Sequence, residues 1–187
     1  MAVEATRERI LDAVHALLAE ESPAALSIPA VAQRAGTSLR TVYRYFPTKE
    51  ALVDAASRTF EPDLEAGGPV STGNLSAYLT HTFTSFTKGI GPVRAQHVTP
   101  AGRELRNARL PRSRASSREA LVAAGCGSLP PEDLDDLVDV TVALIGSSMY
   151  LELVDRMGHD ETDAARLAAW VAESIIDRAR TEGRVAP

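Results

Sequence analysis

Apolar residues recur at helical spacing from the start of the chain. In "RERILDAVHALLAEE", Ile10, Leu11, Val14, Leu17 and Leu18 fall on one stripe about 120° wide at 100° per residue. This predicts a helix that buries one face and ends near Ser22-Pro23. "LSIPAVAQRAG" predicts a second, shorter helix. Ser27 is placed to cap it, Pro29 is tolerated in its first turn and Gly36 stops it, while Ile28, Val31, Ala32 and Ala35 form an inner face. "TSLRTVYRYF" predicts a third, capped by Ser38 or Thr37 and ended by Pro47, because the residue before a proline is pushed out of the α region. On a helical wheel Leu39, Val42 and Phe46 lie within about 60° and face a core made by the first two helices. Arg40 and Arg44 point nearly opposite with Thr41 beside them, and Tyr43 and Tyr45 take the two flanks. "TKEALVDAASRTF" predicts a fourth helix with Thr48 as cap. Ala51, Leu52, Ala55, Ala56, Thr59 and Phe60 are available for packing, and Pro62 closes it.

The clearest change of composition is "DLEAGGPVSTGN", residues 63–74, rich in Gly, Pro and Ser. It reads as a hinge between a head, residues 1–60, and a larger body, residues 61–187. The body predicts helices near 74–90, 92–107 with an interruption at Pro100, 111–124, 131–157 and 162–182. Pro131 followed by Glu132, Asp133, Asp135 and Asp136 suits a helix start, with acids at the positive end of the dipole. Alternating β-branched runs are absent and Ala, Leu and Val are plentiful, so the expected fold is all-α. It would be a three-helix head followed by an antiparallel helical body, about nine helices in all.

Composition then limits the chemistry. The 187 residues carry a net charge of −5, and 44% are hydrophobic, enough for a substantial core. The acidity is uneven. Residues 61–187 hold 13 basic and 18 acidic side chains, whereas residues 25–50 hold Arg34, Arg40, Arg44 and Lys49 against Glu50 alone. A cationic patch on an acidic body still attracts phosphates, since screening limits distant charge to about 8 Å in physiological salt. The single cysteine, Cys126, forms no intrachain disulfide, which fits a reducing compartment. The N-terminal segment has no signal-peptide core, and the most apolar stretch, Val140 to Leu151, is too short to span a bilayer. A cytoplasmic location and no membrane partner are expected.

The third helix therefore has an apolar back, a cationic and hydroxyl-bearing front, and a tyrosine on each shoulder. That shape suits the DNA major groove. Arg matches guanine bidentately at the front, and phenol hydroxyls on the shoulders reach phosphate oxygens. Lys49 adds charge beside unpaired amides at the start of the fourth helix, and Thr48 either caps that helix or donates to phosphate. "VAQRAGTSLRTVYRY" has the spacing of a helix-turn-helix: a small residue, Gly at the turn, then an apolar residue. Periodicity alone also allows an ordinary exposed helix with its tyrosines tucked against a neighbour. Residues 7–53 resemble the N-terminal domain of the TetR (tetracycline-repressor-like) family, through "RERILDAVHALLAE", "LSIPAVAQRAGTS" and above all "RTVYRYFPTKEALV". The resemblance implies a DNA-binding head, a helical body, a homodimer and double-stranded operator DNA as partner. It assigns phosphate contacts to Tyr43, Tyr45 and Lys49, and base or phosphate contacts to Ser38, Arg40, Thr41 and Arg44. Thr37 stands where the family often has an apolar residue, and Tyr45 where it often has His.

For the body, the resemblance implies a ligand pocket and the dimer interface. "LDDLVDVTVALIGSSMYLELV" is apolar almost all round from Leu137 to Leu151, and the last helix carries Ala164, Leu167, Ala168, Val171 and Ile175 on one stripe. These two helices either cover each other within one chain or form a four-helix dimer bundle, and with the resemblance the dimer is expected. Tyr78, His81, Thr82 and Phe86 on one helix, with Ser148 and Met149 opposite, are candidate pocket residues for a small hydrophobic effector. Six arginines and one acid lie between Arg103 and Arg118, a run that is either a solvated helix face or a surface that binds an anionic ligand or grazes DNA. Scattered histidines, no Cys-x-x-Cys and no Gly-rich phosphate loop argue against an enzyme, a metal site or a cofactor. The expected function is a homodimeric repressor released from a near-palindromic operator by its effector. The alternatives are a ligand-independent regulator or activator, or a helical module that no longer binds DNA.

Overall fold

The computed structural model describes residues 2–20, 26–59 and 73–185. The predicted end of the first helix at Ser22-Pro23, the packing of Phe60, the stop at Pro62 and most of the Gly-rich hinge lie outside those residues. Among the described residues there are ten α-helices and no strand: α1 Ala2–Glu20, α2 Ile28–Arg34, α3 Leu39–Tyr45, α4 Lys49–Ser57, α5 Leu75–Lys88, α6 Ile90–Val98, α7 Pro100–Ala123, α8 Pro131–Ile145, α9 Ser147–Tyr150 and α10 Glu161–Glu182. The chain forms two compact units, one of residues 1–61 and 89–108, the other of residues 62–88 and 109–187.

In the first unit Ile10, Val14, Leu18, Val31, Val42, Leu52 and Ala56 are buried in one core, with Phe46 at 4% exposure. Helix boundaries follow local chemistry. Ser27 accepts the Ala30 amide, Ser38 the Thr41 amide and Thr48 the Ala51 amide, each removing an orphan donor at a helix start. Just past the Ala35 cap of α2, Gly36 turns the chain with φ +60°. There the Thr37 amide donates to the Ala32 carbonyl and the Gly36 amide to that of Gln33, the paired bonds of a left-handed helix stop. Helix α6 joins the same core through Ala95. Its Arg94 donates to the Leu18 and Ala19 carbonyls at 2.6 and 2.9 Å, closing the C-terminus of α1, and Gln96 Nε2 donates to the Ser57 carbonyl at 2.9 Å. A Cβ on Gly91 would stand 2.3 Å from the His15 carbonyl oxygen, so only glycine permits this approach of α6 to α1.

In the second unit α10 packs on α5 and α8. Its alanines, Ala164, Ala165, Ala168, Ala169, Ala172 and Ala179, are all buried. Phe83 and Phe86 of α5 close around Tyr150 with ring centroids 5.5 and 5.4 Å away, and the Tyr150 hydroxyl meets Thr87 Oγ1 at 3.1 Å. Two expected boundaries differ. The predicted 131–157 helix is split at Gly146, whose backbone is extended (ψ 172°), and residues Leu151–Arg156 wind as a π-helix. Glycine costs helix stability and adopts the extended form freely. Conversely, α7 runs unbroken through Pro111, its start set by Thr99 Oγ1, which accepts the Gly102 amide at 3.0 Å. No single helix among the described residues is long and apolar enough to cross a membrane; the α8–α9 pair passes on composition only as a pair bent by 42°.

Candidate nucleic-acid interface

Helix α3 is held from behind and open in front. Val42 is fully buried and Phe46 nearly so, and Arg7 of α1 lies over the Phe46 ring, 5.7 Å from its centroid. Arg40, Tyr43 and Arg44 are exposed and, with Thr41, line a shallow hollow on the outer face. Ser38 and Thr48 are exposed, and Thr41, Tyr45 and Lys49 are half-buried. All eight predicted contact residues thus belong to one short stretch, the cap of α3 through the first turn of α4.

Within it the side chains are not equivalent. Ser38 Oγ accepts the Thr41 amide and lies 2.9 Å from Thr41 Oγ1, so these two hydroxyls are partners of each other. The Arg44 guanidinium lies over the Tyr45 ring, 5.1 Å from the centroid, which draws it toward the Tyr45 shoulder. Thr48 is engaged as the cap of α4, leaving Lys49 as the first helical residue there. One expectation fails. Leu39, predicted to face the core with Val42 and Phe46, is 45% exposed. It is the first residue of α3, and a wheel records angle but not height along the axis.

The predicted ligand residues lie in the second unit. Tyr78, Thr82 and Phe86 are buried on α5, His81 and Met149 are half-buried and Ser148 is exposed. Burial pushes the Tyr78 phenol pKa up, and the neighbouring Thr82 hydroxyl pulls it partly back. His81 Nε2 and Thr141 Oγ1 are buried and make no hydrogen bond within the protein. Cys126 is wholly buried and burial raises its pKa, so the thiol is a core group and not a ready thiolate. The arginine run is divided. Arg106 donates to the Gln96 carbonyl, while Arg114 and Arg118 pair with Asp139 and Asp135 of α8. These bonds use three of the six arginines to fasten helices.

A short helix with a buried back and a cationic front, preceded by a capped helix and a glycine turn, has the arrangement of a helix-turn-helix. Residues 10–56 match the family described as bacterial regulatory proteins, tetR family. Those residues, α1 through α4, therefore resemble the N-terminal domain of that family. Over 56 residues it is 48% identical to the HTH-type transcriptional repressor KstR of Rhodococcus jostii (strain RHA1), covering 29% of this chain and 26% of that protein. To the repressor of the same name from Mycolicibacterium smegmatis it is 46% identical over 56 residues, covering 29% and 28%. The matched region thus spans about a quarter of the length of these curated relatives. Among solved structures, a tetR-family transcriptional regulator from Streptomyces coelicolor shares the fold over 98% of this chain and 86% of its own, with TM-score 0.61 and 21% identity. A transcriptional regulator from Rhodococcus sp. Rha1 does so over 97% and 98%, with TM-score 0.64 and 18% identity.

Proposed function

We propose that the chain acts as a homodimeric repressor whose two α3 helices read a near-palindromic operator and whose body answers a small hydrophobic effector. What carries this reading is the exposure of Arg40, Tyr43 and Arg44 on the side of α3 opposite the buried Val42 and Phe46. Arg40 and Thr41 meet base edges. Tyr43, Arg44, Tyr45 and Lys49 hold the phosphate walls, and Ser38 and Thr48 shape the two helix starts that present them. The KstR relatives, repressors by name, support the direction of control.

Dimerisation is assigned to the outer sides of α8 and α10. The alanine stripe named from sequence is only partly available: Ala164 and Ala168 are buried within the protomer, while Leu167, Val171 and Ile175 are half-buried. Val140 and Trp170, 45% and 65% exposed, replace the two alanines in the proposed face. Two recognition helices about one DNA turn apart (~34 Å) then require an operator with matching half-sites. For the effector, Tyr78, Thr82 and Phe86 supply an apolar and hydroxyl wall, half-buried Met149 belongs to α9, which packs on α5, and His81 Nε2 offers a buried polar atom in want of a partner. Exposed Ser148 is left out of the proposed site. An effector lowers operator affinity by binding better to the form whose heads no longer match two successive grooves.

The test is a binding titration of the purified chain on labelled DNA from upstream of its own gene, against a scrambled duplex at the same salt. Two protomers per duplex, a preference of at least a hundredfold and displacement by a hydrophobic compound are expected. Equal affinity for both duplexes would reject the reading.

A further inference from the structure

Among the described residues of the first unit, three large hydrophobic side chains are conspicuously exposed: Leu39, Tyr43 and Val98. Two of these, Leu39 and Tyr43, lie on the seven-residue helix α3, four positions apart, and so stack on one flank of it. Leu39 is 45% exposed as the first helical residue, immediately after the Ser38 cap. Leu39 stands outside the head's core cluster, and its placement beside Arg40 suits a partner that is apolar at one point and anionic around it.

The neighbouring side chains narrow what that partner presents. The Ser38 and Thr41 hydroxyls are 2.9 Å apart and bonded to each other, and Arg44 is drawn onto the Tyr45 ring. That leaves Leu39 and Arg40, the first two residues of α3, as the most outward groups at the end of the helix that goes deepest in a helix-turn-helix complex. The major groove offers one apolar feature, the thymine C5-methyl, and Arg is the usual bidentate partner of guanine O6 and N7. Resting on the DNA-binding reading above, we propose that Leu39 is a specificity-determining residue that seats a thymine methyl while Arg40 reads a guanine. Consecutive residues reach neighbouring base pairs, so each operator half-site carries a thymine and a guanine within a step or two of each other, on either strand. Tyr43, stacked on the Leu39 side, closes the methyl contact against solvent and keeps its hydroxyl for the backbone.

The experiment selects operators from a random duplex library with the full-length chain, then replaces the thymines of the winning sequence singly with deoxyuridine. That substitution deletes the methyl and leaves every hydrogen-bonding group in place. At one position per half-site the wild-type affinity falls about fourfold, the factor for one methyl-sized group leaving an apolar contact. Leu39→Ala weakens the wild-type operator, and its affinity no longer changes when that thymine becomes deoxyuridine. Arg40→Ala keeps the deoxyuridine penalty and loses the preference at the guanine. A selected operator in which no thymine methyl matters overturns the proposal and leaves DNA binding standing. A deoxyuridine penalty that persists undiminished in Leu39→Ala overturns the role of Leu39. Failure to enrich any sequence from the library overturns the DNA-binding reading and this proposal with it.

Discussion

Lys49 stands in the first turn of α4, directly after a threonine that has already taken the Ala51 amide. Its charge is therefore presented at the positive end of a helix, beside the tyrosine-bearing shoulder of α3, where a phosphate is attracted by both. A contact of this kind carries no sequence information. Lys49→Ala is expected to weaken binding by a similar factor on all duplexes and to lower the slope of log K against log salt by about one per protomer. Affinity measured from low to moderate salt checks it, and an unchanged slope means that Lys49 touches no phosphate. His97 gives a pH dependence of the opposite kind, confined to folding. Burial, and then the charge of Arg106, lower its pKa from 6.5 to about 4. The unfolded chain thus binds a proton that the folded one refuses. Stability is fully present above about pH 6.5 and is lost as pH falls toward 4. His97→Asn is expected to flatten that part of the stability profile, read by chemical denaturation at pH 7 and pH 5.

At the scale of elements, α6 shows how a helix without an apolar stripe fastens the head. Its buried residues are Gly91, Pro92, Val93, Ala95 and Gln96. Gly91 gives way to the α1 backbone, and Gln96 is buried because it bonds the end of α4. Gly91→Ala would press a methyl against the His15 carbonyl, and about 1–3 kcal/mol of stability should be lost, measured as a lower denaturation midpoint. Those same residues explain what the sequence did not disclose. A glycine, a proline and a glutamine contribute no hydrophobic period, so residues 89–108 were read as part of the body, yet they cluster with the head. By contrast, the caps at Ser27, Ser38 and Thr48 and the stop at Gly36 were legible, because each depends on one or two neighbouring residues. Leu39 was misplaced for the reason already given, and the partner that completes a surface is not written into the period of one helix. The break at Gly146 was masked by its apolar surroundings, which pattern alone cannot tell from one long helix.

For the whole molecule the question is which surface a second copy covers. The stripe of small residues on α10 is occupied inside the protomer, where α5 and α8 pack on it. Trp170 lies about 160° around α10 from the centre of that stripe, at 100° per residue. It is the only tryptophan in the chain and is 65% exposed. On α8 the outer side likewise carries Val140 and Ala143 among acidic residues. A large aromatic ring left in water on one of two mutually packed helices is the kind of group that dominates an association energy, at 2 kcal/mol or more on truncation. If α8 and α10 form the dimer face, Trp170→Ala raises the dimer dissociation constant by about thirtyfold or more. The single tryptophan also reports the event without a label. Its emission is expected to shift to longer wavelength as the wild-type protein is diluted, in step with the fall in mass seen by sedimentation. A dimer that persists by mass while Trp170 emits as a water-exposed indole throughout would place the interface elsewhere, and the half-site spacing argued from it would have to be rebuilt on another face.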